Sequence, residues 1–443
     1  MTELDRISRI AAVLMERDRW SRDELLAHQQ LRLDDLVRHA VARSPYYRSV
    51  LGPDAGREPV RLRELPTLPK ATMVERFDDL VCDRRVTLAA VEAAVQGGPP
   101  LPHRLLSTSG TTGLRGYVLM GDDEFEQWIA LHFRVLGNAG IAPEMRVAAI
   151  GAPSDLHWSR QLFETLRAGR EGAPSLSVVT PLEETVGALN AYRPEALLGY
   201  PTLLGVLAEE QLAGRLGIEP AIVLCGGEAT TADVARRLAE AWAVVPTIVY
   251  PTTESPIVAC ASRESAQLEI AEDFAIVEVV DAHERPVPPG TPGAKVLLTN
   301  LVNRVQPLIR YELSDAVTLA GGPNPAGRPY ARIATVEGRA ADTLELPARA
   351  GGTVLVHPVR LGEPLAAVPE VRQFQIVHDG AGIAVRAVLR DPAAAEVLGR
   401  VRAGLEATLS EAGAVPPPVR VEPVAQLERE PGPGAKLKLV KSR

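Results

Sequence analysis

A chain of 443 residues exceeds what one ordinary hydrophobic core organises, about 100–200 residues, so two or three domains are expected. It is 46% hydrophobic and 23% charged, and its 48 Lys plus Arg against 56 Asp plus Glu leave a formal charge of −8, which excludes a broad nucleic-acid-coating surface. No apolar run reaches the ~18–20 residues that span a bilayer, and the opening MTELDRISRI has no basic-then-apolar signal pattern. Cys82, Cys225 and Cys260 are odd in number and widely spaced, which excludes a disulfide framework and leaves reduced thiols in a cytoplasmic protein as the expectation.

In chain order, Ser21 with Glu24 forms a capping box that opens a helix ending at Ser44-Pro45, and a second short helix is predicted near 71–80. From about residue 104, buried strands are predicted at 147–150, 177–179, 196–198, 221–224 and 247–250. Amphipathic helices are predicted near 122–139, 158–168, 183–191, 201–213 and 230–242. That alternation implies an α/β fold with a parallel-rich sheet and crossover helices. After 270 short strands take over at 274–281, 294–299, 307–311 and 315–319. Beyond Gly338-Arg339, strands near 353–356, 370–377 and 382–389, a helix near 393–411 and a last strand after Pro418 suffice for a small α+β domain. The expected organisation is residues 1–338 as one large unit and 339–443 as a mobile C-terminal domain. The large unit divides into a helical lobe to 100, an α/β core to 270 and a β-rich part to 338.

Four segments carry candidate chemistry. STSGTTGLRG, from Ser107 to Gly116, is a poor helix or strand. Its glycines and hydroxyls suit an anion cradle, although its composition also fits a flexible surface linker, and it lacks the Walker A spacing. YPTTE, from Tyr250 to Glu254, follows a predicted strand where ligands of open α/β sheets collect; a plain β-turn fits equally well. Asp315 closes PLIRYELSD and could grip vicinal hydroxyls or be a solvated loop residue. Lys436 lies in a Gly/Pro-rich tail, where a lysine is usually only a solvated charge.

Taken in order, STSGTTGLRG, YPTTE, PLIRYELSD, GRAAD and a lysine in the last ten residues resemble the adenylate-forming superfamily, most closely its phenylacetate–CoA ligase branch. The resemblance extends through YRPEALLGYPTLLGVLAEE, LCGGEATT and PVPPGTPGAKVLLTNLVNRVQPLIRYELSD, and thins after about residue 345. It implies that a carboxylate attacks the α-phosphate of ATP to give an acyl-adenylate and pyrophosphate, followed by transfer to a thiol of CoA or a carrier protein. By this resemblance Ser107, Thr108, Ser109, Gly110, Thr111, Thr112 and Gly113 form the phosphate loop, with Arg115 beside it. Thr253 contacts the α-phosphate and Glu254 holds Mg²⁺. Gly226, Gly227, Glu228 and Tyr250 flank adenine, Asp315 binds the ribose with Arg339 at the hinge, and Lys436 bridges the acid and the nucleotide.

The sequence departs from the family pattern at several points. Leu114-Arg115 stands where the loop usually carries lysine, and Pro251 replaces a glycine. Only Cys260 remains of the Cys/His cluster many relatives carry, so no structural zinc is expected. The Arg-Gly stretch after GRAAD is replaced, which leaves a non-thiol acceptor or adenylylation of a cofactor as an alternative; a non-catalytic nucleotide- or acyl-binding regulator is a third reading, against which the retained Glu254, Asp315 and Lys436 stand. The acyl pocket is expected at Ser154, His157, Trp158, Tyr200, Pro201 and Pro251, beside Gly226-Gly227. Its apolar walls suit a small aromatic acid. The Arg/Ala/Pro-rich composition fits a GC-rich bacterial genome and a role in secondary metabolism, and a homodimer is the default for a soluble enzyme.

Overall fold

A computed structural model describes residues 3–108, 115–168, 170–339, 343–356, 358–366, 368–391, 395–430 and 433–442. One nine-stranded sheet dominates it. Its strands run, edge to edge, Asp315–Leu319, Arg332–Arg339, Ser265–Ile270, Ala259–Ser262, Thr247–Tyr250, Ile222–Gly226, Ala196–Gly199, Val147–Gly151 and Leu176–Ser177. From Thr247–Tyr250 to Leu176–Ser177 every pairing is parallel, with the crossover helices Trp158–Ala168, Leu182–Tyr192, Pro201–Leu212 and Ala232–Trp242 between strands. The other pairings are antiparallel. The run LLG at 197–199, apolar at both leucines and buried throughout, shows why these segments are central strands: both faces are covered.

The sheet crosses the division expected at 270. Strand Arg332–Arg339 pairs with Ser265–Ile270, so the segment expected as a β-rich subdomain completes the large sheet. Only Ala275–Val280, Lys295–Asn300 and Tyr311–Leu313 form a separate three-stranded sheet. The expected helical lobe is likewise built into the main body. Helix Glu3–Arg17 sets Ile7, Ala11 and Leu14 against helix Asp122–Asn138, and helix Arg22–Arg43 buries Leu33, Leu36, Val37 and Val41 with Leu298, Ile309 and Ile333. The capping box at Ser21 and Glu24 is present. A buried ion pair ties these layers: Arg134 donates to both carboxylate oxygens of Asp273 at 2.9 Å, and Arg17 donates to Asp273 at 3.1 Å.

Residues from Leu344 onward build their own core. Strands Val371–His378 and Ile383–Leu389 form a hairpin flanked in parallel by Val419–Pro423 and Val440–Ser442, and helix Ala395–Glu411 packs across them through Val397, Val401, Leu405 and Leu409. This C-terminal module docks on the main body through charge. Glu209, at the end of helix Pro201–Leu212, meets Arg372 at 2.7 Å and Arg390 at 3.3 Å, and Glu210 meets Arg372 at 3.2 Å. Arg237, 3% exposed, donates to the carbonyl oxygens of Val371 at 2.7 Å and Arg372 at 2.9 Å while pairing with Glu209 and Asp233.

Candidate active site

The carboxyl ends of four adjacent parallel strands open on one side of the sheet, where an α/β fold gathers ligand groups. Strand Val147–Gly151 leads to Ser154 and His157, Ala196–Gly199 to Tyr200 and Pro201, Ile222–Gly226 to Gly227 and Glu228, and Thr247–Tyr250 to Pro251 through Glu254. Strand order thus brings together residues that are dispersed in the sequence. A side chain grown on Gly226 would meet Val249 at 3.4 Å and Pro251 at 4.0 Å, so these strand ends pack closely. Gly227 has φ +81°, and a methyl there would lie 2.9 Å from Tyr200 Cε1 and 3.8 Å from Lys436 Cε.

Lys436 therefore reaches this cleft from the C-terminal module. Gly434 packs on His157, since a methyl on it would stand 3.2 Å from Cδ2 and Nε2 of the ring. The His157 ring is enclosed by the cleft walls, and that burial, followed by the Lys436 charge, presses its pKa down to about 3. His157 is consequently neutral, with Nδ1 2.9 Å from the Ser159 hydroxyl. Its ring meets the Tyr200 ring edge-on, centroids 6.4 Å apart. Tyr200 is 3% exposed and burial pushes its phenol up, with Ser159 partly offsetting the shift.

Glu254 is 7% exposed, and its carboxylate makes no hydrogen bond or ion pair among the described residues; only its backbone oxygen is engaged, by Asn300 at 2.8 Å. The carboxylate is therefore available to a ligand at the mouth of the cleft, and a hard oxygen donor of this kind fits Mg²⁺. Thr252 folds the turn onto Ser255, whose N–H donates to the Thr252 hydroxyl at 3.0 Å, leaving Thr253 between them half-buried.

The start of STSGTTGLRG is anchored firmly. Ser107 ends strand Arg104–Ser107, which pairs with Tyr117–Met120, and the Thr108 N–H donates to Gly116 O while the Gly116 N–H donates to the Thr108 hydroxyl, each at 2.9 Å. Segment 107–116 is thus closed at its base, and Arg115 is exposed beside it. Ser109, Gly110, Thr111, Thr112 and Gly113 lie outside the described residues. Asp315 opens the edge strand opposite Arg339, whose side chain is outside the described residues. Trp158 is not at the cleft: its indole is 6% exposed, stacks near Phe125 and His132, and donates to His132 Nε2 at 3.1 Å, because it begins a helix whose apolar face turns into the core. The Glu228 carboxylate points toward Thr202 and the tail.

No family model matches the chain. Among curated relatives, the phenylacetate–coenzyme A ligase of Thermus thermophilus is 29% identical over 381 residues, covering 80% of this chain and 78% of the relative. The enzyme of the same name from Aromatoleum evansii is 29% identical over 345 residues, covering 73% and 72%. Among solved structures, a 2-hydroxyisobutyryl-CoA ligase in its postadenylation state superposes with TM-score 0.77 at 20% identity, over 96% of this chain and 91% of that one. The chain is similar over about four-fifths of its length to phenylacetate–CoA ligases and has the fold of an adenylate-forming ligase. It is an acid–thiol ligase. The same 2-hydroxyisobutyryl-CoA ligase in its thioesterification state superposes with TM-score 0.62 at 21% identity.

Sequence reasoning on the ligase missed three contributors. Ser159, which orients His157, had no motif to mark it. His132 is buried with its pKa pressed to about 4, donates from Nδ1 to Trp128 O at 2.7 Å and accepts from Trp158, a role visible only in three dimensions. The docking charges Glu209, Glu210 and Arg237 lie on predicted amphipathic helices, where no local pattern separates them from solvated surface charges. Among the described residues no group of three His, Cys, Asp or Glu forms a metal cluster, and no helix is long and apolar enough to cross a membrane.

Proposed function

We propose that the ligase activates an aromatic carboxylic acid with ATP, releasing pyrophosphate, and passes the acyl group from the acyl-adenylate to the thiol of CoA. The observation that carries this reading is the position of Lys436: a tail lysine lies against Gly227 and beside His157, in the cleft formed by the strand ends. The step brings two anions together, so its main requirement is neutralisation and alignment. Lys436 bridges the acid carboxylate and the α-phosphate, Thr253 donates to that phosphate, and Glu254 holds Mg²⁺, which supplies further charge neutralisation when bound. Segment 107–116 cradles the distal phosphates, Tyr250 and Gly226-Gly227 border the base, and Asp315 with Arg339 takes the ribose.

Ser154, His157, Tyr200, Pro201 and Pro251 line the acid site in this reading. Neutral His157 does not compete with the Lys436 ammonium for the carboxylate, and the edge-on His157–Tyr200 pair offers a rigid aromatic wall to a planar ring. The names of the relatives, phenylacetate–coenzyme A ligases, support an aryl acid. Once the adenylate exists, rotation of residues 339–443 withdraws Lys436 and admits the thiol. The test is acid-dependent ATP–pyrophosphate exchange over benzoates, hydroxy- and aminobenzoates, phenylacetates and short aliphatic acids, followed by thioester assay with CoA. Exchange with an aryl acid is expected. Exchange confined to aliphatic acids overturns the aromatic assignment, and exchange without thioester on adding CoA overturns the acceptor.

A further inference from the structure

Glu228 sits at the end of the Gly226-Gly227 turn with its side chain 3% exposed. One carboxylate oxygen accepts the Thr202 hydroxyl at 2.6 Å and the Thr202 N–H at 3.4 Å, at the first turn of helix Pro201–Leu212. The other accepts the Leu437 N–H at 2.7 Å and lies 3.8 Å from Arg429 Nη1. Leu437 directly follows Lys436, so one buried carboxylate joins the main body to the peptide unit beside that lysine.

The tail is shaped around the same contact. Arg429 Nη1 donates to Ala435 O at 2.9 Å, and the Glu430 N–H donates to Lys436 O at 2.8 Å. Ala435 is left-handed, φ 43°, a conformation that strains a residue with a Cβ and persists only where its surroundings hold it. Those surroundings are largely Glu228 and Arg429. By contrast, the Glu209–Arg372–Arg390 charges dock the body of the C-terminal module through Val371–His378 and the start of the loop after Ile383–Leu389. They orient the module without gripping the lysine's own backbone.

We propose that Glu228 is a clasp, a positioning residue that fixes the Lys436 backbone for adenylation and lets go when the C-terminal module swings away. It rests on the reading that Lys436 serves the adenylation half-reaction. A carboxylate is the suitable grip because a charge-assisted bond to a backbone N–H is strong while buried, yet both partners are well solvated once the interface opens. The contact therefore favours the closed arrangement without trapping it. Thr202 keeps the carboxylate in place between closures.

The test uses the full-length ligase with Glu228→Ala and Glu228→Gln. Glu228→Ala should lower kcat of acid-dependent ATP–pyrophosphate exchange about 10- to 100-fold while KM for ATP stays within about threefold. Thioester formation from supplied acyl-adenylate and CoA should fall far less. Glu228→Gln, which still accepts the Leu437 N–H, should recover most of the exchange. Hydrogen–deuterium exchange of the tail peptide containing Leu437 should rise in Glu228→Ala and stay near wild type in Glu228→Gln. Equal losses in both half-reactions, no advantage of Gln over Ala, or an unchanged tail peptide would overturn the clasp. If wild type shows no acid-dependent exchange at all, the functional reading fails, and the deuterium measurement still decides whether Glu228 holds the tail.

Discussion

Gly227→Ala, compared with Gly214→Ala, isolates the close approach on which the cleft depends. Both glycines have positive φ, +81° and +74°, so each alanine carries a left-handed backbone cost of about 1–2 kcal/mol, offset by about 0.4–1 kcal/mol from a stiffer unfolded chain. They differ in surroundings. A methyl on Gly214 meets nothing within 4 Å, whereas one on Gly227 stands 2.9 Å from Tyr200 Cε1, well inside contact. Tyr200 is 3% exposed and begins a helix, so its ring has little room to retreat, and overpacking of this kind adds about 1–3 kcal/mol. Denaturant unfolding should therefore place Gly227→Ala about 1–3 kcal/mol below Gly214→Ala. Lys436 Cε, at an ordinary 3.8 Å, is not displaced directly. The displaced ring should raise KM for the acid more than KM for ATP in pyrophosphate exchange. Equal stabilities for the two variants, with unchanged acid KM, would refute the packing argument.

Lys436→Ala should abolish acid-dependent exchange while leaving ATP binding, measured by calorimetry, largely intact; wild-type exchange in that variant contradicts the bridging role. Asp273→Asn removes the carboxylate that buried Arg134 grips with both nitrogens, leaving it only Asp18 at 3.7 Å as a charge partner among the described residues, and should cost up to about 3–5 kcal/mol in denaturant unfolding. A loss below about 1 kcal/mol would mean the pair is dispensable. His132 and His157, pressed to about 4 and about 3, are neutral when folded and protonate near 6.5 when unfolded. The unfolded chain thus binds more protons below about pH 6.5, so their stabilising contribution is complete above that pH and is lost progressively as pH falls toward their folded values. His132→Asn should make the decline of unfolding free energy between about pH 6.5 and 4.5 shallower, by about one proton's slope; an identical slope would contradict a neutral buried His132.

The parallel half of the sheet was legible because its strands are short apolar runs separated by amphipathic helices: Trp158–Ala168 lies where the periodicity puts it, and Val147–Gly151, Ala196–Gly199 and Thr247–Tyr250 differ by a residue at most. The antiparallel half was less legible. Ser265–Ile270 (SAQLEI) mixes polar and apolar residues because one sheet face is shared with helix Arg22–Arg43, and Arg332–Arg339 carries too many charges to announce a central strand. Strand Tyr311–Leu313 was expected earlier, at 307–311. Arg310 has φ 50° and is held by Glu278 and the Leu65 carbonyl, so the chain kinks before pairing begins. The short helices Pro45–Leu51 and Leu88–Val95 have too few turns to establish a period. At the site, motif residues with unusual composition stood out. Glu228 was placed near the nucleotide, but its grip on Leu437 depends on a contact between segments over two hundred residues apart, which no local pattern encodes.

The most direct examination of the chemistry follows the oxygen. With a carboxylic acid substrate labelled with ¹⁸O in its carboxylate, the ligase should place one labelled oxygen in the phosphate of AMP when the thioester forms, because the carboxylate oxygen that attacked the α-phosphate leaves with it. Label appearing in inorganic phosphate or pyrophosphate, or AMP formed without any label, would contradict an acyl-adenylate made in this cleft.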